Sequence, residues 1–210
     1  MSKRPIDFWF DFSSPYSYVA SEWIEALAAR HGRTVSWHAM LLGVTFQAAE
    51  LKSPVSHPLK REYSALDFAR SARFEGVPLV FPKTFPQPTQ NAARVFWWLH
   101  DGDGEGRAGD PERAAAWAHA GLRALFARDG ETNLADPAAL KALAAEVGLD
   151  PAAAEAAWSD PRWKDRLKSA CSEAVAQNIF GAPFFVVDGE PFWGNDRKAQ
   201  IERWLSGGPF

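Results

Sequence analysis

Residues 6–17 read Ile6-Asp7-Phe8-Trp9-Phe10-Asp11-Phe12-Ser13-Ser14-Pro15-Tyr16-Ser17, and they are the most informative stretch of this chain. Apolar side chains at every second position from residue 6 to residue 12 predict a β-strand with one buried face. Ser14 is a preferred N-cap residue, and Pro15 suits the first helical position because its missing N–H is not needed there. Apolar residues then follow at four-residue spacing, so a helix is predicted over residues 16–31.

A second motif stands near the other end of the chain, where Gly181-Ala182-Pro183 precedes the apolar residues 184–187. A proline cannot donate to a β-ladder, so Pro183 is expected to begin its strand. Its peptide bond is expected to be cis, since X–Pro is the bond at which the cis form is accessible. Asp188-Gly189 predicts a hairpin into a returning strand over residues 190–193. Asn195 or Asp196 is expected to cap a last helix over residues 198–205.

The middle of the chain is predicted to be helical, after a second strand over residues 35–42. Four helices are expected to begin at Asp-Pro pairs, with Asp as the cap and Pro in the first turn. Residues 78–88 are expected to form a proline-rich loop that makes one wall of a site, and residues 101–106 a flexible polar loop. The predicted helices cover residues 59–73, 90–100, 111–128, 137–147, 151–158 and 161–178.

Composition excludes several classes of function. The chain has 210 residues, enough for one domain with an insertion, and a formal net charge of −3 that argues against binding to nucleic acid or a membrane surface. No apolar run suits a signal peptide or a membrane span. The five histidines lack metal-ligand spacing, so no metal site is predicted. The lone Cys171 is interpreted as a buried apolar residue in a protein of a reducing compartment. Trp97 and Trp98 are adjacent on a helix, so one of them is expected to line a pocket or an interface.

The ordered motifs together resemble a known family. A thioredoxin-type redox centre carries Cys-x-x-Cys at the turn where Ser14 and Ser17 stand here, so this turn keeps the positive helix end but has no redox chemistry. The pieces resemble the DsbA-like branch of the thioredoxin superfamily, and more narrowly the family of 2-hydroxychromene-2-carboxylate isomerases and kappa-class glutathione transferases. Those pieces are Phe10-Asp11-Phe12-x-Ser14-Pro15-Tyr16-Ser17-Tyr18, Leu41-Leu42-Gly43, Lys60-x-x-Tyr63-x-x-x-Asp67-x-x-Arg70, Gly76-x-Pro78-x-x-Phe81-Pro82, Gly181-x-Pro183-x-Phe185-Val186 and Trp193-Gly194-x-Asp196-Arg197.

Three positions depart from the family pattern, and they bear on the substrate rather than on the class of chemistry. Ala182 stands where the family usually has Val, and Ala39 stands where its second strand usually carries Pro. Pro88-Thr89 replaces the Asn-Thr that often follows Phe85-Pro86 in the family.

The resemblance implies that the protein binds glutathione. Ser14 would then stabilise the glutathione thiolate, although by itself it is equally well explained as a helix cap. The backbone of Ala182, before Pro183, would pair with the cysteinyl main chain of glutathione. Asp196 and Asn195 would take its γ-glutamyl amino group, and Lys60 would lie near its glycyl carboxylate. A helix cap explains Asp196 as well, and a solvated helix lysine explains Lys60.

The resemblance also implies an α/β, thioredoxin-like fold with a large all-helical insertion, residues 1–50 and 179–210 forming the first unit and residues 51–178 the insertion. The expected activity is cis–trans isomerisation of a small conjugated aromatic ketoacid by reversible thiolate addition, in a cytoplasmic homodimer. A kappa-class transferase that conjugates an electrophile is the alternative enzyme. A thioredoxin-like binding protein without chemistry is a third hypothesis, and it would not bind glutathione.

Overall fold

The computed structural model of the chain describes residues 4–103 and 106–210. Residues 1–3 at the N-terminus and residues 104 and 105 of the predicted polar loop lie outside the described part. The strands are β1 (Ile6–Phe10), β2 (Val35–Ala39), β3 (Phe184–Val187) and β4 (Glu190–Trp193). The helices are α1 (Pro15–Arg30), α2 (Leu42–Ala48), α3 (Arg61–Glu75), α4 (Gln90–Asp101), α5 (Pro111–Phe126), α6 (Pro137–Glu146), α7 (Pro151–Ser159), α8 (Pro161–Ala176) and α9 (Lys198–Gly207).

The four strands form one mixed sheet in the order β2-β1-β3-β4. β1 and β2 run parallel because α1 connects them, whereas β3 is antiparallel to both β1 and β4. The turn between β3 and β4 has positive φ at Asp188 and Gly189, as the predicted two-residue hairpin requires. The predicted order of strand, helix and strand, a helical middle, and then a hairpin and a helix is confirmed.

β1 lies at the centre of the core and is covered on both faces. Phe8 stacks on Phe185 of β3 at a ring-centroid distance of 5.3 Å, on the face predicted to be buried. Trp9 on the opposite face is also buried and stacks on His38 of β2 at 4.5 Å. The prediction that only one face of this strand is buried was therefore wrong at Trp9, although Asp7 on the same face keeps a side chain that is 41% exposed.

The predicted helix starts are confirmed by their caps. In α1 the Ser14 hydroxyl accepts a hydrogen bond from the backbone N–H of Ser17 at 3.1 Å. Four later helices begin at a Pro that follows a capping Asp, whose carboxylate accepts from a backbone N–H two or three residues on: Asp110, Asp136, Asp150 and Asp160. Neighbouring residues alone therefore predict where α1, α5, α6, α7 and α8 begin.

Two predicted boundaries were wrong. The strand predicted over residues 35–42 ends at Ala39, and the unpredicted helix α2 begins at Leu42. Neither Asn195 nor Asp196 caps α9, since a short 3₁₀ turn (Asn195–Arg197) precedes it without a side-chain cap. The chain therefore enters α9 through that turn.

Trp97 and Trp98 have structural roles. The indole N–H of Trp97 donates to the Ala39 carbonyl in the core at 3.0 Å, and Trp98 lies under the guanidinium of Arg107. Neither side chain lines the pocket described below, and the alternative that one of them lines an interface stays a prediction. Cys171 is buried, as predicted. Within the described ranges, no helix has the length and apolar character needed to cross a membrane, and no group of three or more His, Cys, Asp or Glu side chains could hold a metal ion.

Candidate active site

A pocket of about 790 Å³ opens where the N-terminus of α1 faces the start of β3. Its walls come from five parts of the chain: the β1–α1 turn, α2 with the loop after it, α3, the loop before α4, and the segments that flank the β3–β4 hairpin. They include Asp11, Ser14, Tyr16, Leu42, Phe46, Asp67, Phe68, Phe85, Thr89, Ala182, Pro183, Trp193, Asn195, Asp196 and Arg197. Sequence-distant motifs thus meet around one cavity.

Ser14 lies at the base of this pocket and faces the second motif. Its hydroxyl donates to the Ala182 carbonyl at 3.1 Å and accepts from the Ser17 N–H at the same distance. The bond between Ala182 and Pro183 is cis, as predicted. Ser14 is 3 % exposed, so a ligand atom at its hydroxyl would be largely shielded from water. A partly positive helix end and one hydroxyl donor therefore converge on this point.

Ser17, the second hydroxyl of the turn, has a different environment. Its side chain is fully buried, does not line the pocket, and its oxygen has no hydrogen-bond partner among the described residues. Of the two serines that stand where a redox centre has sulfur, only Ser14 is presented to a ligand.

Asp11 is a buried carboxylate to which the sequence analysis gave no role. One oxygen accepts from the N–H of Ser13 at 2.7 Å and from the hydroxyl of Thr89 at 3.1 Å, and the other accepts from the N–H of Leu42 at 2.6 Å. Asp11 thereby links the β1–α1 turn, the start of α2 and the start of α4. Burial raises its pKa, and the hydrogen bonds that it accepts oppose that effect. An acidic residue at the end of an apolar strand was the available sequence signal.

A second carboxylate, Asp67 on α3, is held by three donors. The hydroxyl of Tyr16 donates to one oxygen at 2.5 Å, and the guanidinium of Arg70 donates to the other at 3.0 Å, where the hydroxyl of Tyr63 also donates at 3.5 Å. The Tyr16 ring packs edge-to-face on Phe68 at 4.7 Å. Burial, together with the Asp67 carboxylate, raises the pKa of Tyr16, so its phenol stays protonated and acts as a donor.

Close contacts shape the rim of the pocket beside β4, which consists of Gly181, Trp193, Gly194 and Asp196. A Cβ atom on Gly181 would lie 2.4 Å from the indole nitrogen of Trp193, so this glycine lets the ring lie against the backbone. Gly194 has φ +105, and Asp196 packs beside it. The Asp196 side chain is largely exposed and pairs with the guanidinium of Arg197 at 3.0 Å.

Five of the six predicted site residues meet in this pocket: Ser14, Ala182, Pro183, Asn195 and Asp196. Lys60 does not, because it is exposed at the start of α3 and is absent from the pocket walls. The loop over residues 78–88 contributes its last four residues, starting with Phe85. Phe85 joins Leu42, Phe46 and Phe68 in an apolar wall, which suits a flat aromatic ring.

Comparisons with known proteins agree with this geometry. Residues 5–206 match the family model of the DSBA-like thioredoxin domain. A 2-hydroxychromene-2-carboxylate isomerase of Pseudomonas putida is 30% identical over 200 residues, which are 94% of this chain and 92% of that protein. A glutathione S-transferase kappa 1 of Caenorhabditis elegans is 32% identical over 112 residues, half of each chain. A solved structure of a 2-hydroxychromene-2-carboxylate isomerase superposes with a TM-score of 0.83 at 26% identity and covers 96% of this chain and 94% of that one.

Proposed function

The chain belongs to the 2-hydroxychromene-2-carboxylate isomerase and kappa-class glutathione transferase family of DSBA-like thioredoxin proteins, and we propose that it is a glutathione-dependent cis–trans isomerase of that type. One observation carries the proposal: the Ser14 hydroxyl lies at the N-terminus of α1, 3.1 Å from the Ala182 carbonyl, inside a pocket with an apolar wall. This position suits the thiolate of a peptide such as glutathione, with the peptide main chain alongside residue 182.

The proposed role of Ser14 is to stabilise the glutathione thiolate. The thiol of a free cysteine has a pKa of roughly 8.5, so only a small fraction is ionised at neutral pH. A hydrogen bond to a charged group contributes about 1.5–3 kcal/mol, equivalent to a pKa decrease of roughly one to two units at 1.36 kcal/mol per unit. The Ser14 proton that now points to Ala182 would turn to the sulfur, which leaves the Ala182 carbonyl free for a main-chain N–H of glutathione.

The rest of the tripeptide would extend along the rim. Asp196, with Asn195, would bind the γ-glutamyl ammonium. The proposed contact between Lys60 and the glycyl carboxylate requires the exposed Lys60 side chain to reach over the pocket mouth from the start of α3.

The proposed reaction begins with addition of the thiolate to the conjugated double bond of a ring-opened aromatic ketoacid. The former double bond is then single and can rotate, and elimination of the thiolate restores it with trans geometry. Glutathione is regenerated, so it acts as a cofactor. The apolar wall of Leu42, Phe46, Phe68 and Phe85 would hold the aromatic ring.

A second candidate function is conjugation of an electrophile, as in kappa-class transferases. The 32% identity to a kappa-class relative over half of the chain favours it. The two functions differ in the product, since a transferase consumes glutathione and an isomerase returns it.

The test is an assay of conjugated aromatic ketoacids with and without glutathione, in which both the substrate geometry and the free thiol are followed. The proposal expects isomerisation only with glutathione and no loss of thiol. Consumption of thiol in proportion to product would favour the transferase instead. No turnover and no thermal stabilisation by glutathione would favour a binding protein without chemistry.

We also propose that the protein works as a homodimer in the cytoplasm. The resemblance to the family and the presence of a single cysteine support this. Light scattering of the purified protein tests the dimer, and cell fractionation tests the location.

A further inference from the structure

The pocket contains a carboxylate that thiolate chemistry at Ser14 does not use. Asp67 lines the cavity with a side chain that is 24% exposed. Tyr16 donates to one of its oxygens, and Arg70 and Tyr63 donate to the other. Three donors occupy three of the about four acceptor sites of a carboxylate, so the oxygen that accepts from Tyr16 keeps one lone pair for a ligand. An oriented carboxylate beside an aromatic wall is suited to take a proton from an aromatic substrate.

The proposed substrate class requires such a proton transfer. In a 2-hydroxychromene-2-carboxylate, carbon 2 bears both the hydroxyl and the ring oxygen, so the compound is a cyclic hemiketal. Its double bond lies within the ring and cannot rotate. The ring must open before a thiolate can isomerise that bond, and opening moves the hydroxyl proton to the ring oxygen.

We propose that Asp67 is the general base that opens this hemiketal, with Tyr16 as a positioning residue, an inference that rests on the proposed function. A carboxylate oxygen of Asp67 takes the proton of the carbon-2 hydroxyl. The bond between carbon 2 and the ring oxygen breaks, a ketone forms, and the electron pair leaves on the phenolate oxygen. The Asp67 carboxylic acid then returns its proton to that oxygen, so no oxidant or reductant is needed.

The other acidic side chains in the pocket walls are less suitable. Asp11 is 3 % exposed, against 24% for the side chain of Asp67, so its oxygens are much less accessible to a substrate hydroxyl. Asp196 is exposed, pairs with Arg197, and is assigned to the glutathione ammonium. Asp67 adjoins Phe68 of the apolar wall, where the aromatic part of the substrate would lie.

The experiment compares two substrates in the parent protein and in Asp67→Asn, with glutathione present. The first is the cyclic hemiketal. The second is the open ketoacid with its phenol oxygen methylated, which cannot close and needs only the thiolate step. General acid–base catalysis contributes about 10²–10⁴-fold, so Asp67→Asn should slow the hemiketal reaction by at least about a hundredfold and leave the methylated compound unaffected. With Asp67→Asn, the rate of the hemiketal reaction should not exceed the rate of spontaneous ring opening at any enzyme concentration. With the parent protein, it should exceed that rate.

Tyr16→Phe provides a second variant. It should slow the hemiketal reaction by less than Asp67→Asn does and leave the methylated compound unaffected, because Asp67 keeps its charge but loses the hydroxyl that orients it. Glu62→Gln, an exposed change on the same helix outside the pocket walls, is the control and should match the parent. The proposal is overturned if the parent never exceeds the spontaneous opening rate, if Asp67→Asn keeps the parent rate, or if it slows both compounds equally. A parent that isomerises neither compound would instead refute the proposed function, and this inference with it.

Discussion

Replacement of Asp11 by Ala tests whether one buried carboxylate holds three walls of the pocket together. The change removes the acceptor for the backbone N–H groups of Ser13 and Leu42 and for the hydroxyl of Thr89. A buried donor left without a partner costs about 1–3 kcal/mol. Two backbone donors lose their acceptor. Part of the lost stability is offset, because water from the pocket can accept from these donors and because the cost of burying the carboxylate disappears. We therefore expect the free energy of unfolding to fall by about 2–4 kcal/mol.

Urea unfolding of Asp11→Ala and of Asp7→Ala is the assay. Asp7 lies on the same strand, but its side chain is 41% exposed and its partner is His38, so the matched change should cost only about 0–1 kcal/mol. Calorimetric titration of the folded Asp11→Ala protein should also show weaker glutathione binding, because the walls shift. Equal losses of stability in the two variants would refute the role of Asp11.

Three further predictions concern the rim and an ion pair outside the pocket. Gly181→Ala should displace the Trp193 ring, since the new methyl group would lie 2.4 Å from the indole nitrogen. A red shift of tryptophan fluorescence and weaker glutathione binding are expected. An unchanged emission maximum and an unchanged affinity would contradict the assigned contact. Asp196→Asn should weaken glutathione binding about ten- to a hundredfold, because a charge-assisted contact worth about 1.5–3 kcal/mol is lost, and it should leave the melting temperature unchanged. Calorimetric titration measures the affinity, and equal affinity of variant and parent would exclude the ammonium contact. The hydrogen bond from His119 holds the pKa of Glu25 below its ordinary value, so stability from this pair is present above the unfolded-state pKa and is lost as the pH falls through the folded-state pKa. Melting curves of Glu25→Gln should therefore converge with those of the parent in acid, and a constant difference across that range would disprove the assignment.

Local signals explain why the sequence predicted most of the fold. The Asp-Pro pairs and Ser14 place a cap and a fixed φ angle at the same point, so helix starts follow from neighbouring residues alone. The Asp188-Gly189 turn likewise depends only on two residues that accept positive φ.

Long-range contacts explain what the sequence did not predict. The start of α2 is fixed by a hydrogen bond from Leu42 to Asp11, 31 residues away. The contact between Tyr16 and Asp67 joins residues 51 apart, and nothing in either motif predicts the other's position. Lys60 was assigned by resemblance, and its exposed place at the start of α3 depends on how the preceding loop packs.

If the Ser14 hydroxyl stabilises a glutathione thiolate, the pKa of bound glutathione depends on that hydroxyl. The ultraviolet absorbance of the thiolate, titrated against pH at saturating protein, gives this pKa in the parent, in Ser14→Ala and in Ser17→Ala, whose hydroxyl does not line the pocket. Ser14→Ala loses a cap worth about 0.5–2 kcal/mol and should still fold. The pKa of bound glutathione should rise by roughly one to two units in Ser14→Ala and stay at the parent value in Ser17→Ala. An unchanged pKa in Ser14→Ala would show that Ser14 is a helix cap only.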